Sequence, residues 1–380
     1  MNRKVLPTLY SVIFCVLILL PLVFTNNKPN QNSFFDNQPL PEFPAKWSRS
    51  YFSDLENYFN FRLGFREPGI SAYQLLNDRL FGLMEHPTYM RGSNNYLYFK
   101  AKNYTNDYQN IHINETYLEQ LVAFLERLES LSKEYDTDFI FVALPDKKSI
   151  YPEFFPRGYN IKDTPGKMDL LKQKLENTNL DYLFLKDAFL QKKLEQQIYN
   201  VEYDAGHWNG NGEYYGVSLM ITHLHDKDTR VPLLNIDDYL VSTEVMKTLP
   251  VSHFPIQEEV PKYTLKASTA VNDLETLNAD PQVLQNRGRY RLLNPEAPHN
   301  LKLLVIGDSY MTRSSKFFSE QFQEVTFLHT ANLPLIRSHL ETYRPDFFIL
   351  EAVERVIGGS NAQMLTEEVI NMQEFPLTMK

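Results

Sequence analysis

Apolar and polar positions along the chain change their rhythm several times, and each rhythm predicts an element. Residues 5–25 run VLPTLYSVIFCVLILLPLVFT with no charge. Residues 113–134 place Leu118, Leu121, Val122, Leu125 and Leu128 on one stripe with Glu and Arg opposite, which predicts an amphipathic helix. Shorter helices are expected over 168–176, 212–223 and 333–343, and a mostly helical stretch over 47–83. Residues 139–144 (FIFVAL) form a short, continuous apolar run, the pattern of a strand covered on both faces. The runs at 301–306 (LKLLVI), 325–328 and 347–350 repeat it, and 94–100 and 182–185 add shorter strands. Strands and helices alternate, so the predicted class is α/β with a mainly parallel sheet flanked by helices. Residues 225–300 break the alternation and read as an insertion of loops and short strands.

The opening apolar run differs in kind from the others. As a helix it would span about 30 Å, the hydrocarbon thickness of a bilayer. Arg3 and Lys4 precede it, which would keep the N-terminus inside and place everything downstream outside the membrane. A cleaved signal peptide is the competing reading, but no A-x-A-like site follows and the next alanine is Ala45. Cys15 lies within the run rather than at its end, which fits a lipoprotein signal poorly. The expected organisation is therefore a single-pass anchor over 1–25, an Asn/Gln/Pro/Ser linker over 26–45, a catalytic domain over 46–358 and a tail over 359–380.

Composition narrows the function. The chain has 380 residues, 43% of them hydrophobic, enough for a large core. Its net charge is -9 and it has no Lys/Arg-rich run, which argues against nucleic acid. Cys15 is the sole cysteine, so no internal disulfide and no Cys-based zinc site is expected.

Three places carry candidate chemistry. Gly307-Asp308-Ser309-Tyr310 follows the best strand directly, and sites in such sheets lie at the carboxyl ends of strands. Ser309 at the turn into a helix would be exposed, with backbone N–H groups near a helix N-terminus to hold an oxyanion. A helix cap would use the same residues. It is not the G-x-S-x-G elbow, since position 311 is Met. The second place is Asp204-Ala205-Gly206-His207-Trp208. Ser needs a base, commonly His, and a carboxylate to fix the base's tautomer. One loop here offers both, and no second ligand sits nearby at metal spacing. The third, Pro145-Asp146-Lys147-Lys148, ends the 139–144 strand on the same sheet edge. Asp146 and Lys147 are candidates to line the site, while Lys148 reads as a solvated turn.

GDSY after a buried strand, DAGHW upstream and FVALPDKKSIYPE together resemble the SGNH-type acetyltransferases that O-acetylate exported polysaccharides, the AlgJ/AlgX-like and related DHHW-motif proteins. ENYFNFRLGFRE, NNYLYFK and Val353-Glu354-Arg355 add to the resemblance, which covers roughly 50–358. It implies an SGNH-hydrolase-like fold with a permuted motif order of Asp, His, Ser. The implied catalytic residues are Ser309, His207 and Asp204, with no cofactor and no metal. It further implies a polysaccharide acceptor, and a membrane-bound O-acyltransferase that hands acetyl across the bilayer. Two features depart from the family. The spacing here is D-x-x-H where D-x-H is usual, and no clear counterpart of the SGNH asparagine block is visible. Asn332 is the candidate oxyanion donor, and Trp208 is the candidate sugar platform or a packing residue that buttresses the loop. A carbohydrate esterase with the same triad, or a non-catalytic polysaccharide-assembly protein, are the alternatives.

Overall fold

The computed structural model describes residues 5–28, 31, 39–84, 86, 88–250, 254–285, 287–358, 365–372 and 375. They fall into two compact units, one of 1–87 with 246–258 and one of 88–245 with 259–380.

The first unit is helical. Val5–Val23 is a single helix of 19 residues, with side chains exposed from Leu9 onward apart from half-buried Pro21. Among the fully described residues, no helix is both long and apolar enough to cross a membrane. The predicted helix over 47–83 is two, Tyr51–Arg62 and Arg66–Phe81, because Phe65 takes a left-handed backbone (φ 63°) between them. Arg62 is buried, and its Nη1 donates to the carbonyls of Asn26 and Lys28, each at 2.8 Å. Residues 29–30 and 32–38 of the expected linker, and most of the tail beyond 358, lie outside the described residues.

The second unit is built on a seven-stranded sheet. In chain order its strands are β1 (Asp138–Leu144), β2 (Tyr182–Phe184), β3 (Val271–Asn272), β4 (Arg289–Leu293), β5 (Lys302–Gly307), β6 (Glu324–His329) and β7 (Phe347–Val353). Across the sheet the order is β2-β1-β7-β5-β6-β4-β3. The first five are parallel neighbours, and β4 and β3 are antiparallel. Alternate residues supply two separate cores. Phe139, Phe141, Leu304, Ile306, Phe348 and Leu350 face one; Ile140, Val142, Leu303, Val305, Phe347 and Ile349 face the other. That two-sided burial is why these strands read as continuous apolar runs.

Helix Glu115–Lys133 covers the first face with Leu118, Leu121, Leu125 and Leu128. The Asn114 side chain starts it by accepting the Tyr117 N–H at 3.0 Å. Helix Gly210–Lys227 covers the other face with Val217, Met220, Ile221 and Leu224.

The region 225–300 departs from the loops and short strands expected of it. It contains two long strands, Tyr239–Thr248 and Pro255–Leu265, paired as a separate ribbon, and it supplies β3 and β4 to the main sheet. Polar and apolar residues are mixed in near-equal number in the ribbon because most of its side chains are exposed, which hides a strand from a search for buried runs.

Candidate functional site

The parallel strands set the site. β5, β1 and β7 all run the same way, so Gly307, Leu144 and Val353 close at one edge of the sheet. The three segments that follow them carry Ser309, Asp146 and Arg355.

Past Gly307 the chain makes a tight turn. Asp308 is buried; one carboxylate oxygen accepts the Tyr310 N–H at 2.9 Å and the other accepts the Val353 N–H at 2.9 Å. These two bonds fix the turn to the end of β7 and leave Ser309 exposed at its crest. The Ser309 N–H makes no hydrogen bond among the described residues. The expected helix after Ser309 is only a 3-10 turn, Met311–Arg313, followed by Ser315–Phe318. A helix dipole therefore contributes little here.

The histidine loop approaches from the start of helix Gly210–Lys227. Asn209 caps that helix by accepting the N–H groups of Asn211 and Gly212. Asp204 Oδ1 accepts the N–H of Gly206 and of His207, each at 2.8 Å. Its Oδ2 lies 2.9 Å from His207 Nδ1, and His207 Nε2 lies 2.7 Å from Ser309 Oγ. A serine, an imidazole and a carboxylate thus form one hydrogen-bonded line, bringing together residues 102 positions apart in the chain. Burial opposes ionisation of Asp204. The His207 ring and the two loop N–H groups outweigh it and hold the carboxyl well below the usual carboxylate range. A carboxylate ionised in this way fixes the proton on Nδ1 and leaves Nε2 free to accept from Ser309.

Behind this line lies a buried polar layer. The Tyr310 hydroxyl donates to the Gly206 carbonyl, joining the serine turn to the histidine loop. Arg355 Nη1 reaches the Tyr310 hydroxyl at 3.3 Å and Asp146 Oδ2 at 3.0 Å. Its guanidinium lies over the rings of Tyr310 and Phe99. Burial pushes the Tyr310 phenol far up, so it stays a donor.

Asp146 and Lys147 belong to this layer rather than to the lining of a cleft, since both are fully buried. Lys147 Nζ donates to the carbonyls of Leu97, Val201 and Asp204 at 2.8, 2.9 and 3.0 Å, so it holds the loop that carries Asp204. Lys148 is not a solvated turn. It is 1% exposed and pairs with Glu354 Oε1 at 3.0 Å, under the Tyr104 ring. Trp208 is 7% exposed, edge-on to Tyr310 and stacked near Phe189, so it packs behind the loop and offers no face to a sugar. Asn332 stands beyond β6 with its carboxamide committed. Its Oδ1 accepts the Leu284 N–H, its Nδ2 donates to the His329 carbonyl, and no hydrogen bond joins it to Ser309. Among the described residues no group of three or more His, Cys, Asp or Glu is placed to hold a metal ion.

The sequence left Tyr310, Arg355 and Gly206 without a role. Position was the available signal: Tyr310 follows the serine, Gly206 separates Asp from His, and Arg355 follows the last strand.

No protein-family model matches the chain, and no curated protein matches it in sequence. Solved structures do match in fold. PatB1 from Bacillus cereus, solved with a sulfonyl adduct, superposes with a TM-score of 0.55 at 15% identity, over 70% of this chain and 94% of that one. The O-acetyltransferase domain of Pseudomonas putida AlgJ superposes with a TM-score of 0.50 at 12% identity, over 75% of this chain and 99% of that domain. In fold, therefore, the chain resembles PatB1 and the O-acetyltransferase domain of AlgJ.

Proposed function

We propose that the chain is an extracytoplasmic O-acetyltransferase that moves an acetyl group onto hydroxyls of an exported cell-surface polysaccharide. The observation that carries the reading is the unbroken line from Ser309 Oγ through His207 to Asp204, with spacings of 2.7 and 2.9 Å.

In the first half-reaction His207 Nε2 takes the Ser309 proton as Oγ attacks the acetyl carbonyl of the donor. Negative charge gathers on the carbonyl oxygen, where the Ser309 N–H is placed to receive it. Collapse expels the donor's leaving group, which takes the proton back from His207. In the second half-reaction a sugar hydroxyl gives its proton to Nε2 and attacks the acetyl-serine. The new ester leaves, and Ser309 recovers its proton. Asp204 stays ionised throughout and steadies the imidazolium.

Residues 5–25 serve as a single-pass anchor in this reading, with the N-terminus inside and the catalytic unit outside. The donor is then acetyl delivered by a membrane-bound O-acyltransferase, since a soluble cytoplasmic donor would not reach the site.

The test is the fate of acetyl from p-nitrophenyl acetate on the full-length protein, with and without candidate glycans. Acetyl recovered on glycan hydroxyls, and abolished in Ser309→Ala, supports the reading. Hydrolysis that no glycan diverts would make the protein a carbohydrate esterase. A Ser309→Ala strain with fully acetylated polysaccharide would make it a non-catalytic assembly protein.

A further inference from the structure

A second carboxyl lies directly under the serine turn. Glu351, on β7, is 0% exposed. Its Oε2 accepts the Asp308 N–H at 2.9 Å, and its Oε1 has no hydrogen-bond partner. Among the described residues no cation pairs with either oxygen. The fit is close: a Cβ built on Gly307 would lie 2.6 Å from Oε2, so the turn passes over the carboxyl with no room for a side chain.

Asp308, its neighbour, is differently satisfied, because both its oxygens accept backbone N–H groups. Each of its oxygens thus has a donor of its own. Two buried carboxylates in contact with one strip of backbone would repel each other at great cost, so one proton must be retained. Glu351 is the one with an oxygen, Oε1, that has no donor to stabilise a charge.

We propose that Glu351 is a positioning residue that acts in its uncharged form, seating the Asp308 N–H and so fixing the height and tilt of Ser309 against His207. The inference rests on the reading of Ser309 as nucleophile for its kinetic part only; the protonation of Glu351 is independent of it. The groups that face Glu351 are Asp308 from the turn and Arg355 after β7, the latter tied to Asp146 and Tyr310. Burial, then the Asp308 charge, raises its carboxyl well above the ordinary range, against the pull of Arg355.

A carboxyl with a raised folded pKa contributes stability that is full below the unfolded value and is lost as pH rises toward the folded one. Glu351→Gln removes that loss, since a carboxamide stays neutral and its oxygen still accepts from Asp308 N–H.

The experiment is denaturant unfolding of wild type and Glu351→Gln in detergent at pH values from 5 to 8, with ester hydrolysis on the same samples. The stability of Glu351→Gln relative to wild type should climb with pH. The variant should keep kcat within about threefold and hold it to higher pH, whereas Glu351→Ala should lose about a hundredfold in kcat with KM unchanged, the scale of an ångström's misplacement. A stability difference independent of pH would show an ordinary, ionised Glu351 and overturn the proposal. Glu351→Gln losing as much activity as Glu351→Ala would overturn the positioning role. Absence of hydrolysis in wild type, with the pH-dependent stability intact, would point instead at the reading of Ser309.

Discussion

The Tyr310 hydroxyl donates its hydrogen bond to the carbonyl of Gly206, so the residue after the serine grips the residue before the histidine. Two segments with long, separate paths through the sequence are thereby held in one register. The 2.7 Å spacing between Ser309 and His207 depends on that register as much as on either residue alone. Tyr310→Phe keeps the ring against Trp208 and removes the hydroxyl, which loses this bond and the one accepted from Arg355 Nη1. Its expected effects are about 1 kcal/mol of stability and a loss of roughly tenfold or more in kcat, with KM little changed. Steady-state kinetics beside a denaturant melt will separate the two. A variant that loses stability but no kcat would show that the bond serves folding alone.

Asp204 offers a sharper separation of charge from shape. Asp204→Asn keeps the size of the side chain and its acceptor for the loop N–H groups, but it no longer dictates the proton on His207 Nδ1. The expected loss in kcat is about 10⁴-fold, the scale known for such a change in serine proteases. Stability should also fall at neutral pH. The Asp204 carboxyl is held below its ordinary value, so its contribution is present above the unfolded pKa and disappears as pH falls through the folded one. Melts of the two proteins should therefore converge on acidification, and a gap that persists at low pH would contradict the assignment.

How much of this was legible in the sequence varies with the physics of each residue. β1, β5, β6 and β7 announce themselves because burial on both faces makes their central positions predominantly apolar. Ser309, His207 and Asp204 were readable only together: each alone also reads as a cap or a loop residue, but a Ser at a strand end and an Asp/His loop are complementary parts of one triad. Lys148 was misread for a physical reason: a lysine beside Asp, Pro and Lys resembles a solvated turn, and its partner Glu354 is 206 residues away. The 3-10 turn after Ser309 escaped for a related reason, since Asp308 spends both oxygens on distant and local N–H groups that no local pattern reveals. Trp208 was open to two readings because an aromatic next to a histidine looks the same whether it faces solvent or core.

The Lys148–Glu354 pair gives a pH test away from the serine. Burial opposes the charge on Glu354, but Lys148, the Ser149 hydroxyl and Lys167 pull its carboxyl down to about 2. A depressed carboxyl contributes stability above its unfolded value near 4.3 and loses it as pH falls toward 2. Glu354→Gln leaves Lys148 buried without a partner, so it should cost roughly 3 kcal/mol at pH 7. The deficit relative to wild type should shrink between pH 4.5 and pH 2, read by chemical denaturation at fixed ionic strength. A deficit that is flat across that window would place the pair's contribution in packing rather than charge.

Gly206 sits between the orienting carboxylate and the histidine, and the space around it is already full. A Cβ there would lie 2.5 Å from the Phe99 ring and 3.1 Å from Arg355 Nη1. The Arg355 guanidinium is anchored on Asp146 and Tyr310, and Phe99 is flanked by Tyr104, so neither can retreat without breaking a contact. Gly206→Ala should therefore cost about 1–3 kcal/mol as overpacking. Because the displaced groups hold Tyr310, the disturbance should reach the Ser309–His207 spacing and lower kcat more than KM. If Phe99 is shortened in the same molecule, Phe99→Leu with Gly206→Ala, part of both losses should return. A double variant no better than the sum of the single ones would mean that the crowding at Gly206 is relieved elsewhere and that Phe99 is not the wall it meets.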